Sequence, residues 1–240
     1  MPEADSASCA MPGRDDTPVR MLRVFTDEDG HWGNPLGVID GELVLAGDRQ
    51  QVARALGFSE TIFIDDYASG RLRIFTPSVE LPLAGHPLVG AAWLLSQLRR
   101  QESGVFELRP PGGLVSAWRD EAGRAWVDSP LATLPDWTLV ELGSPEAVEE
   151  LTGPLNPDHD HVVYWAWLEI GFIRARCFAP RFGVAEDEAT GSAALRLTAF
   201  LGEPLQIRQG KGSLLHARPL DTERACVGGT VVEDVALRLP

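Results

Sequence analysis

The chain has 240 residues, 44% of them hydrophobic and 23% charged, enough to bury one large core or two small ones. A formal net charge of -14, with 35 acidic against 21 basic side chains and no basic block, argues against a nucleic-acid surface. Three scattered cysteines give no disulfide framework, and no apolar run approaches the ~20 residues of a membrane span, so a reduced, cytoplasmic protein is expected.

Residues 1–20 lack the apolar stretch of a signal peptide and read as a flexible leader. Residues 22–26 and 36–39 read as strands around a polar turn. Residues 47–56 carry apolar positions at helical spacing, with Gly57 as the stop. Ser59-Glu60-Thr61 leads into a strand at 62–64, with 71–77 as its hairpin partner, and 83–98 is a Gly-rich entry into an apolar helix. Residues 106–120 and 123–130 are expected to pair as two strands around a Gly turn. Residues 144–152 form a short helix capped by Ser144, with Pro145 in its first turn. Two more strands follow at 161–170 and 171–180, then a second Gly-to-apolar helix at 191–201 and a β-rich tail at 204–239.

Two stretches resemble each other. Arg73-x-Phe75-x-Pro77 is matched by Arg176-x-Phe178-x-Pro180, and an acidic loop follows each. Then comes Gly85-His86-Pro87 or Gly191-Ser192-Ala193, opening a helix with few charges that reads as buried nearly all round. This order implies an α+β fold of two pseudo-symmetric halves, each a mainly antiparallel, barrel-like sheet around a central helix. The halves are expected at 21–105 and 106–240, with the last strands crossing over.

Helix N-termini attract anions, and small residues there let a ligand approach the backbone. Gly85 and Gly191 therefore read either as a paired carboxylate site or as devices for tight packing. Glu60, at the mouth of an apolar strand, is the candidate acid/base if burial raises its pKa; the alternative is a solvated Glu in a turn. His86 is a second donor or a satisfied helix-start His. In the acidic loop 185–190, Asp187 either contacts substrate or orients His86, or the acids complement the helix dipole. His159-Asp160-His161 reads as a polar loop rather than a metal site.

Gly33-Asn34-Pro35-Leu36-Gly37-Val38, Phe58-Ser59-Glu60-Thr61, Gly85-His86-Pro87, Glu186-Asp187-x-x-Thr190-Gly191-Ser192-Ala193 and Gln209-Gly210 occur in that order. The series resembles the phenazine-biosynthesis PhzF-like family, within the diaminopimelate epimerase-like fold, from about Leu22 to the C-terminus. The resemblance implies an isomerase, usually homodimeric and needing neither cofactor nor metal, with a cleft between the halves that takes a small carboxylate. In the family's founding activity one Glu, matched by Glu60, moves a proton between two carbons of a cyclohexadiene amino acid. His86, Asp187 and Ser192 match substrate-contacting positions, Asn34 and Gly85 the pocket, and Gly191 the carboxylate-binding helix start. The fold's epimerase branch uses two cysteines, and the corresponding turns here carry none. Two readings compete: a binding protein that kept the cleft, and a two-base racemase with other bases.

Overall fold

The computed structural model describes residues 17–99, 104–180 and 184–239. In β1 (Pro18–Thr26) Leu22 and Val24 alternate inward and are fully buried in the main core, while Val19 is buried on the opposite face. Strand β1 thus begins at Pro18, inside the stretch expected as leader, because Val19 is drawn into a small apolar cluster and pairs with Leu237. The rest of the expected leader, residues 1–16, lies outside the described residues. Strand β1 pairs antiparallel with β2 (Asn34–Asp40). At its other edge, a bulge between Val24 and Thr26 turns Phe25 to a φ of 68°.

A unit then unfolds that the chain repeats. Strand β2 leads through α1 (Arg49–Leu56) into β3 (Glu60–Asp66), which lies parallel to β2. Left-handed Gly57 ends α1 by returning its N–H to the Ala53 carbonyl. Antiparallel β4 (Arg71–Phe75) and β5 (Glu80–Leu81) follow, then α2 (Gly85–Leu98). The strands β6 (Phe106–Leu108), β7 (Val115–Arg119) and β8 (Ala125–Pro130) form a meander.

The second pass reads the same way. Strand β9 (Thr138–Glu141), α3 (Pro145–Glu149) and β10 (Val162–Glu169) form a parallel crossover, with the Ser144 hydroxyl capping the helix at the Ala147 N–H. Antiparallel β11 (Phe172–Ala179) and β12 (Val184–Asp187) lead into α4 (Gly191–Leu201). A second meander, β13 (Leu205–Gln209), β14 (Ser213–Pro219) and β15 (Arg224–Glu233), precedes the short β16 (Leu237–Arg238). The fold is α+β with two pseudo-symmetric halves, and the repeated R-x-F-x-P ends β4 in one and β11 in the other.

Both central helices are wrapped by sheet. Leu88, Val89, Ala91, Ala92, Leu94 and Leu95 of α2 join Ala193, Ala194, Leu195 and Leu197 of α4 in one continuous apolar core. Strands β7 and β8 pack on α2. The stretch expected as one strand at 106–120 is two, β6 and β7, because Pro110 and Pro111 lack the N–H that a continuous ladder needs.

The halves meet where β8 and β15 pair antiparallel, and β15 continues onto β1. In that seam Gly228 faces Trp126, whose ring covers it: an added Cβ would stand 2.6 Å from the Ala125 carbonyl oxygen and 2.4 Å from the indole. Neither the backbone nor the ring can yield cheaply. Gly228→Ala should therefore lower stability by about 1–3 kcal/mol. Chemical denaturation of the two proteins checks this, and an unchanged midpoint would mean that the seam adapts.

Candidate active site

Both central helices begin at the same place. A Cβ on Gly85 would lie 3.2 Å from the Gly191 Cα, and one on Gly191 as close to Gly85, so the helix starts abut through two residues without side chains. Neither N-cap, Ala84 or Thr190, caps its helix with a side chain. The first-turn amides of Gly85 and His86 in α2, and of Gly191, Ser192 and Ala193 in α4, have no partner within their helices. Pro87 offers none. The two dipoles thus present positive ends to a cleft of about 860 Å³ between the halves.

Glu60 and His86 stand on its floor. Glu60 opens β3, and parallel pairing with Leu36 of β2 fixes its backbone. Its side chain is 17% exposed and that of His86 8%, with Glu60 Oε2 3.3 Å from His86 Nε2. The two atoms are close but out of line for a hydrogen bond, and both are buried with no hydrogen-bond partner. Leaving such groups unpaired costs about 1–3 kcal/mol each.

Asp187, at the end of β12, lines the cleft from the second half. Its carboxylate accepts from Asn34 Nδ2 at 2.8 Å and from the Thr190 hydroxyl at 2.7 Å. Gln209 ties the loop down, donating to the Asp187 carbonyl and to Thr190 Oγ1 while accepting from the Thr190 N–H. Burial pushes the Asp187 carboxyl above its ordinary value. The hydrogen bonds from Asn34 and Thr190 and the nearby His86 pull it partly back, and Glu60 adds to the rise.

A raised folded value means that the native state binds the proton more tightly than the unfolded chain does. The stability from this group is therefore present below the ordinary value of 3.8 and lost as pH rises through the raised one. Asp187→Asn removes that penalty and keeps an acceptor for Asn34. It should unfold at a higher temperature than the parent at pH 7, with the gap closing as the pH falls towards 4. Calorimetry across that range checks it, and a lower melting temperature at pH 7 would show that the carboxylate is a net stabiliser.

The structure brings Glu60, His86, Asp187, Gly85, Gly191 and Ser192 to one cleft. Asn34 stands behind it: its amide bonds Asp187 and the Ala189 carbonyl, both at 2.8 Å, so it orients Asp187 and does not line the wall. Several wall residues were not expected at the site from the sequence. Trp137 and His161 face the site from the second half, the Thr76–Val79 turn from the first, and Asp128 beside the seam. Only folding sets them there.

Of the cysteines, Cys177 and Cys226 are buried away from the cleft wall, burial pushes both thiols up, and Cys9 lies outside the described residues. Among the described residues, the three groups close enough to share a metal are Asp27, Asp29 and His31, on the β1–β2 turn outside the cleft. No described helix is long and apolar enough to cross a membrane.

The chain matches the model of the phenazine biosynthesis-like family, PhzC-PhzF, over residues 22–152 and 131–218. It is 31% identical to a trans-2,3-dihydro-3-hydroxyanthranilate isomerase of Pseudomonas chlororaphis over 78% of this chain and 84% of that protein. Among solved structures, a PhzF-family protein of Enterococcus faecalis superposes with a TM-score of 0.78 at 20% identity, covering 94% of this chain and 99% of the other. A hydroxyproline epimerase of Agrobacterium vitis shares the fold, at a TM-score of 0.64 and 11% identity, over 94% of this chain and 93% of that one.

Proposed function

Because the chain belongs to the phenazine biosynthesis-like (PhzC-PhzF) family, we propose that it is an isomerase that shifts a proton on a small cyclic amino carboxylate through Glu60. One observation carries the reading. A carboxylate and an imidazole lie 3.3 Å apart, each with an unpartnered atom, in a cleft where two helix starts converge.

The chemistry follows from that placement. The free amides of α2 and α4 hold the substrate carboxylate, so its ring lies over Glu60. The Glu60 carboxylate takes a proton from a ring carbon, and the C–H electron pair moves into the π-system conjugated with the substrate carboxylate. The same amides stabilise the negative charge that builds there. Glu60 then returns the proton to a different carbon, so one carboxyl serves both steps and the double bonds move. His86 donates a hydrogen bond to a polar group of the ring, and Asp187 holds an ammonium or hydroxyl.

The chlororaphis relative is named for trans-2,3-dihydro-3-hydroxyanthranilate, and that compound is the first substrate to try. Proton NMR in deuterated water should show it rearranged, with deuterium at one carbon. Deuterium entering without rearrangement, at a stereocentre, would point to a racemase instead. The same family likeness supports a homodimeric, cytoplasmic protein.

A further inference from the structure

The strap between the halves carries a side chain that the steps above do not use. Residues 131–137 leave β8, pass through a short turn at Leu131–Thr133 and enter β9. Thr133, Leu134, Pro135 and Trp137 face the cleft. Arg196 of α4 holds the strap down, donating to the Leu134 carbonyl at 2.8 Å and to the Pro135 carbonyl at 3.1 Å. At its end the Trp137 indole N–H donates to Ser192 Oγ at 3.1 Å, and the ring lies 5.0 Å from that of His161.

Ser192 is the second residue of α4, so its hydroxyl stands beside the amides that open on the cleft. A hydroxyl that accepts from an indole keeps its own proton for another acceptor. Among the described residues, Trp137 is the hydrogen-bond partner of Ser192 Oγ and no acceptor takes that proton. We infer that Trp137 is a positioning residue: its indole N–H fixes the Ser192 hydroxyl with the proton turned into the cleft, to be donated to a carboxylate oxygen of the ligand. This rests on the start of α4 being the carboxylate site proposed above. The strap thereby makes the second half's anion site depend on the chain that joins it to the first.

Trp137→Phe keeps a ring and removes only the N–H. Binding of benzoate, a planar carboxylate, is measured by calorimetry for the parent, Trp137→Phe, Ser192→Ala and the double variant. Ser192→Ala should weaken binding about 10-fold or more, and Trp137→Phe about 3- to 10-fold. The double variant should bind within about twofold of Ser192→Ala, because the indole acts only through that hydroxyl. Losses that multiply, a Trp137→Phe that binds like the parent, or a parent that binds no benzoate would each overturn the assignment.

A second readout needs no ligand. The indole N–H signal that disappears in Trp137→Phe should move upfield in Ser192→Ala, and an unmoved signal would mean that the bond is absent. Isomerisation by the parent, tested separately, distinguishes the two failures. Turnover with multiplying benzoate losses keeps the isomerase and sinks the role of Trp137; non-multiplying losses without turnover do the reverse.

Discussion

Glu60→Gln should lower turnover of trans-2,3-dihydro-3-hydroxyanthranilate by about 10³-fold or more while leaving the protein folded. A positioned acid/base contributes roughly 10²–10⁴-fold, and the upper part of that range applies when one group both takes and returns the proton. The amide is close in shape to the acid and removes its charge and its ability to carry a proton. Glu60 also has an unpartnered buried oxygen, so its loss breaks no hydrogen bond within the described residues. Melting temperature should therefore stay within a few degrees of the parent, which separates a chemical defect from a folding one. Proton NMR in deuterated water reads both isotope entry and product. Turnover at the parental level would remove Glu60 from the mechanism and leave a cleft whose base is elsewhere; Asp187 and Asp128, the other acids on its wall, would be examined next.

Gly191→Val should cost about 100-fold in kcat/KM, with a smaller loss of stability. The Gly85 Cα lies 3.2 Å from where even a single added carbon would sit, and the contact is backbone against backbone, so no side chain can swing aside. The helices must part, and the amides proposed to hold the carboxylate part with them. A displacement of about 1 Å in a reacting pair is enough for a loss of that order. Valine is sterically allowed on this backbone, because Gly191 is not among the glycines with positive φ. The defect therefore comes from the approach of the two helices and not from local strain. Steady-state kinetics with a thermal melt tests it, and a variant with parental kcat/KM would show that the two helix starts are not jointly part of the site.

Much of this was legible before folding was considered. Repeated R-x-F-x-P strand ends, each followed by an acidic loop and a glycine-led apolar helix, are local patterns, and they carried the two-half architecture. Local patterns also placed the Ser144 cap and the Gly57 stop, because a cap or a left-handed turn is decided within a few residues. Glu60, His86, Asp187, Gly85, Gly191 and Ser192 were named from ordered motifs. Asn34 was named with them, and its amide donates to the Asp187 carboxylate. Motif position cannot tell a wall residue from the one that braces it.

What the sequence could not decide is what depends on distance through space. No spacing rule brings residue 85 against residue 191, because more than a hundred residues, including α2, a meander and the β9–α3–β10 crossover, separate them and only the wrapping of each sheet around its helix closes the gap. The same holds for Trp137, which reads as an apolar residue in a linker until the strap folds across α4 and points its N–H at Ser192. The buried pair of Glu60 and His86 is of this kind too. The chain supplied a carboxylate and an imidazole 26 residues apart. Burial of both, which raises the cost of leaving either without a partner, exists only once the core has closed around them. The sequence by itself determined most of the elements, their order and the chemistry at hand. The tertiary structure decided which of those groups meet, because hydrophobic packing of two sheets around two helices is a cooperative property of the whole chain.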